Sequence, residues 1–152
     1  WNKNMKRKSK RFQIKLPIET VNLEIIRDFV AHIAQNMGFS EENIHRIELA
    51  VDEASTNVIK HAYKKSNSNQ EFISIQVTTY PDRLQIDVID SGKGFNPKKI
   101  KTPAMDIYLK EMKRGGLGLY LIKTLMDKVE YEIKPGIRNK VRMVKFLTQN
   151  LE

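Results

Sequence analysis

Two polar residues four positions apart, Glu53 and Asn57, could form a small catalytic pair. They lie in the stretch ELAVDEASTNVIKHAY, and residues four apart project side by side on a helix. The carboxylate could act as a general base, and the amide oxygen is a hard, neutral ligand of the kind that Mg²⁺ accepts. A solvated glutamate on a polar helix edge explains the same spacing, so the pair alone does not decide between the two interpretations.

A second candidate follows the apolar segment LQIDVID, which ends in Asp90 and is followed by Gly92 and Gly94. Alternate glycines carry no side chain, so the backbone can approach a ligand closely. The carboxylate of Asp90 could accept a hydrogen bond from an exocyclic amine. An ordinary turn at the end of a strand is the alternative interpretation of this segment.

A third candidate is a glycine-rich segment directly before an apolar helical stretch at residues 119–126. Unshielded backbone N–H groups at a helix N-terminus form an anion site, and neighbouring basic side chains could reach a terminal phosphate. A glycine hinge is the alternative, and the segment matches neither the P-loop nor the dinucleotide fingerprint. The residues concerned are Lys113, Arg114, Gly115, Gly116, Leu117 and Gly118.

The elements that must position these residues follow from the periodicity of the apolar side chains. Gly38 is the predicted C-cap of the first helix, and Ser40 is the predicted N-cap of the second. The predicted helices span residues 19–37, 41–64 and 117–126, and the predicted strands span 11–16, 72–79, 84–90, 129–133 and 141–147. This order predicts an α+β fold, a two-layer sandwich with a mixed, mostly antiparallel sheet and helices packed on one face.

Length and composition limit the class of protein. The chain has 152 residues, no cysteine and no apolar run near the ~20 residues of a membrane span. We expect a single domain at residues 11–150 after a basic arm at residues 1–10, part of which is expected to be non-native because Trp1 is not a natural start. No secretory signal is visible, so a cytoplasmic protein is expected.

The net charge of +9 is concentrated in two segments. Residues 1–15 contribute +7 and residues 98–114 contribute +4, which leaves the remainder slightly acidic. A basic nucleic-acid binder is therefore one hypothesis, with non-specific affinity through the arm. A solvated arm that assists contact with an acidic partner is the alternative.

In the order in which they occur, the three candidate segments resemble the N box and the two glycine boxes of the GHKL ATPase superfamily. The matching stretches are D-E-A-S-T-N-V-I-K-H-A-Y at 52–63, V-I-D-S-G-K-G-F at 88–95 and G-G-L-G-L-Y-L-I-K-T-L-M-D at 115–127. Within the superfamily, the chain is most similar to the small serine/threonine protein kinases of the RsbW and SpoIIAB type, which act as anti-sigma factors. The resemblance spans nearly the whole chain and implies the Bergerat ATP-binding fold.

The resemblance assigns roles to individual residues. It implies that Glu53 is the general base, that Asn57 is the Mg²⁺ ligand and that Asp90 binds the amino group of adenine. Gly92 and Gly94 would let the backbone pass beneath the base. Phosphoryl transfer suits such residues, because the protein mainly positions groups and neutralises charge.

For the phosphates, the resemblance implies that amides freed by Gly116 and Gly118 bind them beneath a lid at residues 95–115. Arg114 matches a basic residue that meets the γ-phosphate. Lys60 could approach the phosphates as well, or it could be an ordinary solvated lysine on a helix.

One segment departs from the family pattern. Relatives often carry a Gly-Thr pair in the last turn before the final strand, and its threonine helps to hold adenine. In this chain the same turn is predicted to contain Ile137, Arg138, Asn139 and Lys140. This substitution puts the corresponding contact with adenine in doubt.

The resemblance also implies cofactors and partners. It implies use of ATP or ADP with Mg²⁺, phosphorylation of an STAS-domain anti-anti-sigma protein and a homodimer, and it raises sequestration of a sigma factor as a second role. Contact with a membrane or directly with nucleic acid is not expected from it. The alternative is a nucleotide-binding regulatory module of the same superfamily without significant kinase activity.

Overall fold

The computed structural model describes residues 8–63, 71–91, 118–134 and 136–148. Its elements are strand β1 (Lys10–Pro17), a 3-10 turn (Thr20–Asn22), helices α1 (Leu23–Met37) and α2 (Glu41–Tyr63), strands β2 (Phe72–Tyr80) and β3 (Arg83–Asp90), helix α3 (Gly118–Leu125), and strands β4 (Lys128–Lys134) and β5 (Arg138–Phe146). The five strands form one sheet in the order β1-β2-β3-β5-β4. All four ladders between these strands are antiparallel, which confirms the antiparallel character predicted from the sequence.

The sheet has an apolar inner face, on which the helices pack. Alternate side chains of the central strands are buried there, as the pleat of a strand requires. Helix α1 contacts β2, α2 contacts β3, and α3 contacts β4. The buried apolar inner-face residues of the three central strands are Ile73, Ile75, Val77, Leu84, Ile86, Val88, Val141 and Met143.

Both predicted helix caps next to the connection between α1 and α2 are confirmed. Gly38 has a φ of +94°, a left-handed conformation that glycine adopts without strain, and its N–H donates to the last turn of α1. The Oγ of Ser40 accepts a hydrogen bond from the N–H of Asn43 at 3.1 Å. These caps end one helix and begin the next within a few residues, so α1 and α2 pack against each other.

The start of the first helix differs from the prediction. The α-helix begins at Leu23 rather than at residue 19, because a 3-10 turn intervenes. The side-chain amide of Asn22 donates to the carbonyl oxygen of Pro17 at 2.8 Å. This hydrogen bond ties the turn to the end of β1, and the regular helix begins only after it.

The outer face of the sheet contains an ion pair whose carboxylate is buried and whose guanidinium is partly exposed. Asp87 is 3% exposed, and Arg142 lies directly opposite it in the β3–β5 ladder. Arg142 donates from Nε and Nη2 to the two carboxylate oxygens at 2.9 and 3.1 Å, a bidentate geometry that suits guanidinium and carboxylate. The hydrogen bond to Asp87 raises the pKa of Arg142 above its already high value.

No helix among the described residues is both long and apolar enough to span a bilayer.

We expect Arg142→Met to lower the free energy of unfolding by about 2 kcal/mol, since it leaves the buried Asp87 carboxylate without its counter-charge. The expected value lies below the usual range for a buried pair because water can reach part of the vacated site. Urea denaturation measures the loss, and the double variant Asp87→Leu with Arg142→Met should recover most of it. The control Lys134→Met removes only an exposed ion pair with Glu132. If Arg142→Met and Lys134→Met lowered the free energy of unfolding equally, the pair of Asp87 and Arg142 would stabilise the fold no more than an exposed pair does.

Candidate functional site

Three of the predicted site residues lie along one ridge of α2. A helix turns by about 100° per residue, so Glu53, Asn57 and Lys60 fall on the same side. Glu53 and Asn57 are half-buried and Lys60 is exposed. The neighbouring buried face of α2 consists of Ile47, Ala50, Val51, Ala54, Ser55 and Val58. The ridge therefore borders the core, and its half-buried side chains are partly held by packing.

The two acids in the middle of α2 point in different directions. Asp52 forms an ion pair with Arg27 of α1, with 3.7 Å between the carboxylate oxygen and Nε. Glu53, one residue further, lies about 100° away around the helix. Asp52 thus helps to join α1 to α2, and Glu53 lies on the side of the helix that carries Asn57.

Helix α3 continues the second glycine-rich segment and packs against α2. Gly118 is its first residue. The predicted phosphate-binding residues before it, which are Lys113, Arg114, Gly115, Gly116 and Leu117, lie outside the described residues, as do Gly92, Gly94 and the predicted lid at residues 95–115.

The C-terminal end of α3 is anchored to β5. The ammonium group of Lys145, which is 8% exposed, donates to the carbonyl oxygen of Leu125 at 2.7 Å. Asp127 adds two hydrogen bonds, since its N–H donates to Val144 at 2.9 Å and its carboxylate accepts from the N–H of Phe146 at 2.7 Å. A cation at the C-terminal carbonyls also interacts favourably with the helix dipole. These contacts fix α3 and with it the end of the glycine-rich segment.

The role of Lys145 was not predicted, although the sequence contains a signal for it. In the final strand, Val141 and Met143 alternate toward the core, and Lys145 continues the same alternation. A lysine at an inward position of a strand needs a buried acceptor. The acceptor belongs to α3, and the sequence does not show which helix end lies there.

Asp90 ends β3 on the inner face, where Asn139 of β5 lies directly opposite it. The side-chain amide of Asn139 donates to Oδ1 of Asp90 at 3.1 Å, and Asn139 is only 3% exposed. The prediction that residues 137–140 belong to a turn is wrong for Arg138, Asn139 and Lys140, because β5 begins at Arg138 rather than at Val141. Pairing with β3 extends the strand, and the same pairing brings the carboxamide to the carboxylate.

Two features of the described residues bear on the predicted nucleotide site. Helix α2 contacts β3, so the ridge with Glu53 and Asn57 and the carboxylate of Asp90 belong to packed elements. An amide oxygen is a suitable Mg²⁺ ligand when phosphates supply the remaining oxygens. No group of three or more histidine, aspartate or glutamate side chains that could hold a metal occurs in the part of the chain that the structure describes.

Comparisons with known proteins identify the family of the chain. The family model of the histidine kinase-like ATPase domain matches residues 16–145. The serine-protein kinase RsbW of Bacillus licheniformis is 37% identical over 149 residues, which cover 95% of this chain and 91% of that protein. The serine-protein kinase RsbW of Bacillus subtilis is 33% identical over 149 residues, which cover 94% of this chain and 89% of that protein.

A solved structure shows the same fold at low sequence identity. In the SiaB–SiaC complex from Pseudomonas aeruginosa, one chain superposes with a TM-score of 0.65 at 14% identity, over 88% of each chain. The resemblance stated from the three sequence motifs is therefore confirmed at the level of family and fold. The chain belongs to the family of histidine kinase-like ATPase domains, in the group that includes the serine-protein kinases RsbW.

Proposed function

We propose that this chain is an ATP-dependent serine/threonine protein kinase that phosphorylates an STAS-domain anti-anti-sigma protein. The observation that carries the proposal is the ridge of α2, where half-buried Glu53 lies one turn before half-buried Asn57. The ridge occurs in a chain that aligns with serine-protein kinases over 95% of its length. A general base beside a magnesium ligand is what transfer of a phosphoryl group to a hydroxyl requires.

Each predicted residue has one role in this proposal. Glu53 accepts the proton of the attacking hydroxyl, and Asn57 holds Mg²⁺, which would neutralise charge on the triphosphate. Asp90 accepts a hydrogen bond from the exocyclic amine of the base. Arg114 and the backbone around Gly116 supply contacts to the phosphates, by analogy with the family.

The proposal extends to partners that the family suggests. A chain of this kind acts as a homodimer in the cytoplasm and binds a sigma factor as an alternative to its substrate. Slow hydrolysis of ATP accompanies transfer when water takes the place of the hydroxyl. The alternative function, a nucleotide-binding module without kinase activity, differs only in the step that needs Glu53.

Nucleotide binding is tested by thermal unfolding with ATP or ADP, with and without Mg²⁺. A ligand that binds only the folded protein should stabilise it by ~2.7 kcal/mol at a hundredfold excess over Kd. Asn57→Ala should lose the Mg²⁺-dependent part of this stabilisation and keep the rest. Asn43→Ala, near the start of the same helix, is the control and should behave like the wild type. Absence of any shift at millimolar nucleotide would refute nucleotide binding and the proposal with it.

The chemical step is tested by Glu53→Gln in a transfer assay with Mg²⁺-ATP and the cognate STAS-domain protein. We expect the rate of phosphoserine or phosphothreonine formation to fall by about a hundredfold or more, because the general base is lost. The stabilisation by ATP should stay unchanged, since an amide replaces a carboxylate of the same shape.

Glu48→Gln is the matched control, because Glu48 is a half-buried glutamate on the same helix. It should transfer phosphate at the rate of the wild type. If Glu53→Gln kept the full rate, Glu53 would not be the base. If the wild type bound ATP and transferred nothing to its partner, the nucleotide-binding module without kinase activity would be the correct function.

A further inference from the structure

We propose that Asn139 is a positioning residue that fixes the carboxylate of Asp90, and that the pair thereby selects a 6-aminopurine over a 6-oxopurine nucleotide. The inference rests on the proposed nucleotide-binding function and adds a determinant of base specificity to it. Asn139 lies in the segment where this chain lacks the family's Gly-Thr pair. Asn139 acts through Asp90 and needs no contact with the base itself.

The backbone brings the two side chains together. Asp90 and Asn139 are direct partners in the antiparallel ladder between β3 and β5, and both lie on the inner face of the sheet. Directly opposed residues on one face have Cβ atoms about 5 Å apart, within reach of a side-chain hydrogen bond. The observed hydrogen bond runs from Nδ2 of Asn139 to Oδ1 of Asp90 at 3.1 Å.

Burial makes this hydrogen bond persistent. Asn139 is 3% exposed, and its partner on the other side, across the β4–β5 ladder, is the apolar residue Ile133. A buried carboxamide cannot exchange a lost partner for bulk water without cost. Rotation of the Asp90 carboxylate would break the hydrogen bond from Asn139, so its orientation is set before a ligand arrives. Preorganisation of this kind improves affinity because the ordering is already complete when the ligand binds.

The chemistry of a fixed carboxylate determines which base it accepts. An ionised carboxylate only accepts hydrogen bonds, and its two oxygens offer about four acceptor positions. Adenine presents an amino donor at position 6, and 6-oxopurines present a carbonyl acceptor at that position. Two acceptors facing each other form no hydrogen bond, and a site built around a hydrogen bond rejects an analogue that cannot make it. A mobile carboxylate could turn away from the carbonyl, and one held by Asn139 cannot.

The test compares ATP with inosine triphosphate, which differs from ATP only on the edge of the base that carries position 6. Isothermal titration calorimetry gives Kd for both nucleotides with the wild-type chain and with Asn139→Ala and Asn139→Thr. We expect the wild type to prefer ATP, and we expect Asn139→Ala to reduce the ratio of the two Kd values by about tenfold. Asn139→Thr keeps a hydroxyl donor and should restore part of the ratio.

Thr78→Val is the control, because Thr78 is a buried polar residue of the same sheet, on the outer face and away from Asp90. It should leave the ratio unchanged even if it lowers the unfolding temperature. If Asn139 had a merely structural role, its substitution would weaken the binding of both nucleotides equally and leave the ratio of their Kd values unchanged.

The possible failures are distinguishable. An unchanged ratio in folded Asn139→Ala would overturn the inference and leave the proposed kinase function intact. If Asn139→Ala does not fold, Asn139→Thr is the deciding variant. A preference for ATP that is reduced but partly retained would support the inference. A preference that is unchanged from the wild type, or lost completely, would overturn it. A wild type that binds neither nucleotide would refute the proposed function itself.

Discussion

The pairing register of β3 against β5 is the constraint on which the rest of the structure depends. It places Val88 opposite Val141 in the core, and it places Asp87 opposite Arg142 on the other face. A shift of one residue would move every side chain of a strand to the opposite face. Such a shift would expose the apolar residues and bury the arginine without its partner. The hydrophobic core and the buried ion pair therefore specify the same register from the two sides of the sheet.

The same register builds the end of the candidate site that is proposed to bind the base. The core pairs continue along the inner face to Asp90 and Asn139, which are the last partners of this ladder. Their hydrogen bond needs no separate positioning, because the ladder that forms the core already sets their separation. At the other end of β5, the alternation that buries Val141 and Met143 also turns Lys145 inward, beneath the end of α3. One strand thus supports both Asp90, the acid proposed to bind the base, and the helix that follows the glycine-rich segment.

Local signals were sufficient to predict most of the elements. The caps at Gly38 and Ser40 follow from spacing within one turn, and the structure confirms them. The helix that carries Glu53 and Asn57 follows from its apolar periodicity and is confirmed as well. What the sequence did not show depends on pairing between distant segments. The sequence pattern places Asn139 in a turn, because Pro135 and Gly136 nearby favour one. The strand with which Asn139 pairs lies about fifty residues away in the sequence. The part of the site formed by residues 92–117 lies outside the described residues, so the roles predicted there stay predictions.

The placement of the candidate residues at the border of the core has a physical reason. Phosphoryl transfer is catalysed mainly by positioning, and small displacements of the reacting groups are costly in rate. Glu53 and Asn57 are held by the buried face of α2, Asp90 is held by Asn139, and α3 is held by Lys145. Asn139 and Lys145 lie on one extended strand, which rises about 3.3 Å per residue and so sets the distance between them. This distance can change only if the ladders of β5 with β3 and with β4 break. Asp90 and the C-terminal end of α3 therefore keep their separation as long as the core is intact, and the fold thereby supports the positioning that the proposed chemistry needs.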